Sequence, residues 1–235
     1  MVGYLYRLQS GRERRLPGWI WNWLPLRAEP VTVHGLHLLG VGLPPGGSIR
    51  GLDRGAKVLR KKGCARVLAA PELRCIGLTD ILRARGLSLV DPLPLCRAKA
   101  PELALALVEK LPLRRRCVAL RGENAGDAWA AAAALCPQVG NLLLDFERGE
   151  EGLARRLREV YGAAALHLDQ GPKPQASVEF SPRDKEVGKT LRLWGKPGLA
   201  GVEITAGGVD DLPLLALLWE TGRLSLENIT VQWDE

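Results

Sequence analysis

Between residues 31 and 168, short apolar runs alternate with amphipathic stretches of about ten residues, giving six strand–helix steps in succession. This ordering constrains the fold more than any other feature of the chain. Strands separated by helices pair in parallel through crossover connections, because a tight hairpin cannot join them. The runs are almost unbroken in apolar character, as in Ala65–Ala70 (ARVLAA) and Asn141–Asp145 (NLLLD). Such runs suit strands covered by helices on both faces.

The first half of the pattern holds expected strands at Val31–Val41, Ala65–Ala70 and Leu87–Val90, with helices at Leu52–Lys62 and Leu78–Arg85. Gly63 and Gly86 stop those helices. A crossover helix is expected over Pro101–Leu111, with Leu103, Leu107, Val108 and Leu111 on one face. Strands then follow at Cys117–Leu120, Asn141–Asp145 and Ala163–Leu168. The helices between them are Asp127–Leu135 and Gly152–Tyr161, the latter with a stripe of Leu153, Leu157, Val160 and Tyr161.

Two such halves predict an α/β fold: one doubly wound, mostly parallel sheet in the order 3-2-1-4-5-6, with helices on both faces. Two smaller α/β domains divided near Pro112 are the alternative. The expected organisation is a Trp/Arg-rich arm over residues 1–30, a first α/β half over 31–112, and a second half over 113–235. The second half carries the tail strands Ser177–Phe180, Thr190–Trp194, Gly201–Thr205 and Ile229–Trp233, and the helix Leu212–Thr221. This tail is expected to complete the sheet.

Composition supports a globular chain: 46% of the 235 residues are hydrophobic and 25% charged, too apolar for disorder. The five cysteines are odd in number and form no CxxC, so they read as small buried hydrophobes of a reducing compartment. Neither a signal peptide nor an apolar run of about 20 residues is legible, and the expected location is cytoplasmic. The net charge of +7 is spread over short clusters, among them Arg12–Arg15, Arg60–Lys62 and Arg114–Arg116. These read as solvated surface; nucleic-acid binding, resting on the +7 charge and the three tryptophans, is a third reading but not the expected one, and no membrane is an expected partner.

One segment carries a recognisable device. Arg116–Asp145 reads as a strand, a turn Gly122-Glu-Asn-Ala-Gly126, a helix rich in Ala, and a second strand ending in Asp145. Glycine after a strand lets the backbone approach a pyrophosphate, and a helix N-terminus offers it free N–H groups. Asp145 lies 23 positions after Gly122, near the spacing at which an acid accepts ribose hydroxyls. Over about Arg114–Phe180 the sequence resembles the Rossmann-type dinucleotide-binding superfamily, in the shape of shikimate-dehydrogenase-like cofactor domains. The resemblance implies NAD or NADP as ligand, held by Gly122, Gly126, Arg121 and Asp145. Its glycine pattern is GxxxG rather than GxGxxG, and Glu123 and Asp127 stand where phosphate would sit. The motif is therefore read as degenerate.

A second turn, with Gly46, Gly47 and Ser48, would flank the same switch point if both halves shared one sheet, and would offer anion donors there. His34, His37 and His167 form no metal pair, and no metal is expected. GxSxG and GxxxxGK[ST] are absent, and no catalytic residue can be assigned. Trp19, Trp21 and Trp23 share one face of an extended segment and are read as the contact for a second copy or a protein partner. The functional expectation is a Rossmann-like protein with a degenerate NAD(P)-type site. The alternative is a non-catalytic interaction or regulatory module, and whether the chain is an enzyme stays open.

Overall fold

A computed structural model describes residues 1–8, 25–44, 49–74 and 77–233, and within them the chain builds two five-stranded sheets rather than one. The described chain divides into two units. The first comprises Met1–Asp91 and Ala216–Arg223, the second Pro92–Leu215 and Leu224–Glu235. The expected single order 3-2-1-4-5-6 is thereby corrected. Each half closes its own sheet, because each has enough strands and covering helices to bury a core.

In the first unit the strands are β1 (Val2–Arg7), β2 (Ala28–Val33), β3 (Leu36–Leu43), β4 (Arg66–Ala69) and β5 (Ser88–Leu89), in the order β2-β3-β1-β4-β5. All pairs are parallel except β2–β3. Residues 2–7, expected within an arm, form the central strand. Their pattern is short, but Leu5 is fully buried between Val41 and Ala69 of the neighbouring strands. The expected single strand Val31–Val41 is a hairpin. His34 and Gly35 turn the chain with φ of 45° and 79°, a left-handed pair that matches the twist of the flanking strands. Helices α1 (Ile49–Lys61) and α2 (Leu78–Ala84) cover one face through Leu52, Ala56, Leu59, Leu78 and Leu82. Within this unit Arg66 forms a two-pronged ion pair with Glu220, at 2.8 and 3.1 Å.

In the second unit the sheet is wholly parallel. Its strands are β6 (Cys117–Asn124), β7 (Asn141–Arg148), β8 (Leu166–His167), β9 (Ala176–Glu179) and β10 (Lys189–Arg192), ordered β10-β9-β6-β7-β8. Counted from β6, this is the order 3-2-1-4-5 of a doubly wound sheet, with its reversal between β6 and β9. The helices are α3 (Leu93–Ala98), α4 (Ala100–Ala106), α5 (Trp129–Leu135) and α6 (Glu150–Tyr161). The expected helix Pro101–Leu111 is shorter and is preceded by α3. In α6 only Leu153 and Leu157 of the expected stripe are buried. Val160 and Tyr161 are 58% and 46% exposed in the last turn.

The tail divides its roles. β9 and β10 extend the second sheet, whereas β11 (Val202–Thr205) and β12 (Thr230–Trp233) pair with each other as a separate antiparallel ribbon. Helix α7 (Leu212–Glu220) lies between them in sequence. No helix of the described residues is long and apolar enough to cross a membrane.

Candidate functional site: the carboxyl edge of the second sheet

The reversal between β6 and β9 opens at the carboxyl ends of the strands, where open α/β sheets bind ligands. In this protein that edge is laced by its own side chains. Arg121 on β6 stands in register with Asp145 on β7 and Glu179 on β9. In-register residues of parallel strands project from the same face, so the three charges form a ladder, negative–positive–negative, across adjacent strands. Arg121 Nε donates to Asp145 Oδ2 at 2.9 Å, and its Nη1 donates to Glu179 Oε1 at 2.9 Å and to the Lys185 carbonyl at 2.6 Å. Arg121 is 5% exposed and Glu179 2%. Burial pushes the Glu179 carboxyl above its ordinary value, and the Arg121 guanidinium opposes that shift.

Arg183, from the connection between β9 and β10, closes the edge from above. Its Nη2 donates to the carbonyls of Asp145, at 2.8 Å, and of Gly122, while its Nη1 pairs with Glu147 at 3.0 Å. Arg97 of α3 donates to the carbonyls of Leu193 at 3.0 Å and Phe180 at 3.1 Å. Three guanidiniums thus satisfy the carbonyls and carboxylates that end β6, β7, β9 and the run after β10.

The sequence-predicted residues are placed as follows. β6 continues to Asn124, so Gly122 lies in the strand rather than in a turn. A Cβ at Gly122 would come within 3.3 Å of both Phe146 and Phe180, so its small size serves ring packing. The amide of Gly126 donates to Asn124 Oδ1 at 3.0 Å, an Asx cap on the short 3-10 turn Ala125–Ala128. Asp145 sits three residues before the end of β7, engaged by Arg121 and 3.6 Å from Arg183. Glu123 pairs with Arg148 at the exposed rim. Arg121, Gly122 and Asp145 come together, and Gly126 lies one turn further on. Gly46, Gly47 and Ser48 fall outside the described residues, as do Trp19, Trp21 and Trp23.

Beside this edge, Ala125, Gly126, Trp129, Gly149, Leu153 and Arg156 line a cleft of about 220 Å³. The Arg156 guanidinium lies 3.9 Å from the Trp129 ring centre. The cleft is smaller than the roughly 300–1,000 Å³ of ordinary ligand sites. His167 is exposed, and its Nδ1 accepts the Asp169 amide at 3.3 Å. His34 and His37 belong to the β2–β3 hairpin, away from this edge in sequence and in sheet. No group of three or more His, Cys, Asp or Glu suited to a metal occurs among the described residues.

Glu179, Arg183 and Arg97 were not legible as site residues. Glu179 carried a signal: CVALR, NLLLD and ASVE each end an apolar run on a charge, and the charges alternate in sign across the sheet. Arg183 and Arg97 reach the edge from a loop and a helix, with no comparable pattern.

No family model matches the chain, and no curated protein matches it. Among solved structures it is similar to L-tryptophan dehydrogenase from Nostoc punctiforme, at 12% identity over 76% of this chain and with a TM-score of 0.31. The chain spans 55% of that dehydrogenase. A likeness this distant carries no argument about function.

Proposed function

We propose that the chain is a non-catalytic α/β interaction module whose nucleotide crevice is closed by its own arginines. The observation that carries this reading is Arg183, which donates to the carbonyls of Gly122 and Asp145. Those two positions are the ones a dinucleotide would approach with its pyrophosphate and ribose. Arg121 adds to it by holding the Asp145 carboxylate against the sheet. A ribose would have to displace the charge-assisted hydrogen bond from Arg121, which is stronger than a neutral one, with the Arg183 guanidinium 3.6 Å from the other carboxylate oxygen. The binding work of the module then falls to its surface.

The test is a thermal-shift panel of NAD, NADP, their reduced forms, ATP and S-adenosylmethionine. A ligand of the folded state at a hundredfold excess over its dissociation constant adds about 2.7 kcal/mol. The expected result is no shift at millimolar ligand. A shift of several degrees with any dinucleotide would refute the closed crevice and restore the degenerate NAD(P) site as the leading reading.

A further inference from the structure

The positive charge that looks scattered in the sequence is gathered by the fold. At the amino edge of the second sheet, β6, β9 and β10 begin side by side, with Val118 and Lys189 both in register with Ala176. At about 4.8 Å per strand, these starts span roughly 10 Å. Arg114 and Arg115 form the exposed turn before β6. Arg116 fixes that turn by donating to the carbonyls of Leu111 and Glu109, each at 2.9 Å. Gln175 accepts the Cys117 amide at 2.9 Å and donates to the Lys173 carbonyl at 3.2 Å, which sets the exposed Lys173 beside the start of β6. Lys189 opens β10, its amide bonded to the Gln175 carbonyl at 2.9 Å. Its ammonium lies 3.3 Å from the centre of the half-buried Trp233 ring, and that of Lys110 lies 5.2 Å from it.

We propose that this edge binds single-stranded nucleic acid. Four exposed cations from three consecutive strand starts suit a repeating anion better than one small ion. They are Arg114, Arg115, Lys173 and Lys189, and among the described residues none of the four pairs with a carboxylate. The indole among them distinguishes a nucleic acid from an acidic peptide. Lys189 covers the Trp233 face in the free protein. On binding, its ammonium moves to a phosphate and a base takes the vacated face, so one cation–π contact is exchanged for a phosphate contact and a stack. Glu109 lies in the run before this edge, Glu203 of β11 is one residue from the in-register partner of Trp233, and Asp234 and Glu235, which follow Trp233, lie outside the described residues. The helices that precede β6 and β7 end at this edge, and a cation there also complements their carbonyl ends. That role alone requires no ligand, and the experiment separates the two.

The proposal rests on the interaction-module reading and has its own readout. A fluorescein-labelled 20-nucleotide oligothymidylate is titrated with the full chain, by anisotropy, from 50 to 300 mM salt. Binding is expected with partial quenching of tryptophan emission. Its logarithm should fall with log salt at a slope of about −2 to −3, since each phosphate neutralised on a single strand contributes about −0.7. R114E/R115E should weaken binding at least tenfold, whereas K61E/K62E, which removes equal charge from the end of α1, should leave it within twofold. Circular dichroism confirms that both variants fold. The proposal is overturned by absent binding at 50 mM salt, by equal loss in both variants, or by displacement of the oligonucleotide by polyglutamate at equal charge. A dinucleotide shift alongside intact oligonucleotide binding would refute only the closed crevice. Loss of oligonucleotide binding in a chain silent to dinucleotides would refute only this surface.

Discussion

Replacing Arg121 with Met tests the ladder at the carboxyl edge. The side chain is nearly isosteric in its apolar part, so packing survives while the charge is lost. Glu179, 2% exposed, is then left without its guanidinium partner, and Asp145 keeps Arg183 and partial solvent. Breaking a buried pair from one side costs about 3–5 kcal/mol, because the remaining charge is desolvated and unpaired. Adding E179Q removes that charge and should recover at least half of the loss.

The pH dependence follows from the direction of the Glu179 shift. Its folded pKa is already raised by burial. The folded state therefore binds this proton more tightly than the unfolded state, and its burial cost is relieved as pH falls through the folded pKa. Without Arg121 the folded pKa climbs further. The deficit of R121M against the parent protein should then be largest near pH 8 and shrink by about 1.4 kcal/mol per unit as Glu179 protonates. Urea denaturation followed by tryptophan fluorescence at pH 5, 6, 7 and 8 measures this. A deficit below 1 kcal/mol at pH 8, or one that does not change with pH, would refute the buried-pair reasoning.

Three further outcomes are expected. Ala200 sits at φ 53°, where a Cβ is strained, so A200G should raise stability by about 1 kcal/mol in the same denaturation assay. Cys117 is 1% exposed and its thiol is pushed up to about 11 by burial, so peptide mapping after iodoacetamide at pH 8 should find it unmodified in native protein and modified in urea. Asp53 is held below its ordinary value by a two-pronged bond with Arg85, so its contribution is present at neutral pH and lost as pH falls through the folded pKa. D53N should melt slightly below the parent at pH 7, and the difference should narrow as pH falls through the acid range.

The strands of the second unit were largely legible because each is a short apolar run with a punctuating Gly, Pro or charge. The sheet count was not. An order of strands along a chain is compatible with one sheet or two, and only the pairing of β1 with β3 and β4 and of β6 with β7 and β9 decides it. Residues 2–7 were missed because a six-residue strand at the start of the chain has no preceding helix to set its rhythm. The hairpin at His34 and Gly35 was hidden by an apolar run continuing through it, with only one glycine to mark the reversal. At the site, Arg121, Gly122 and Asp145 lie together at the carboxyl edge, with Gly122 in the strand rather than in the expected turn. Their engagement was invisible, because Glu179, Arg183 and Arg97 arrive from positions 58, 62 and 24 residues away in the chain from Arg121. Register and loop path decide such contacts, and neither is periodic.

The first unit has a peculiar schedule on the ribosome. Strands β1 to β5 and helices α1 and α2 are complete by Asp91, yet the unit also includes Ala216–Arg223, which takes in the end of α7, with the Glu220 that pairs with Arg66. At about 5–20 residues per second, the intervening stretch takes roughly 6–25 s to synthesise. The unit that emerges first is therefore completed only near the end of synthesis, twelve residues before the second. In that interval Arg66 waits without Glu220, and whatever holds the nascent chain soluble must act on a nearly complete sheet still missing one of its own segments.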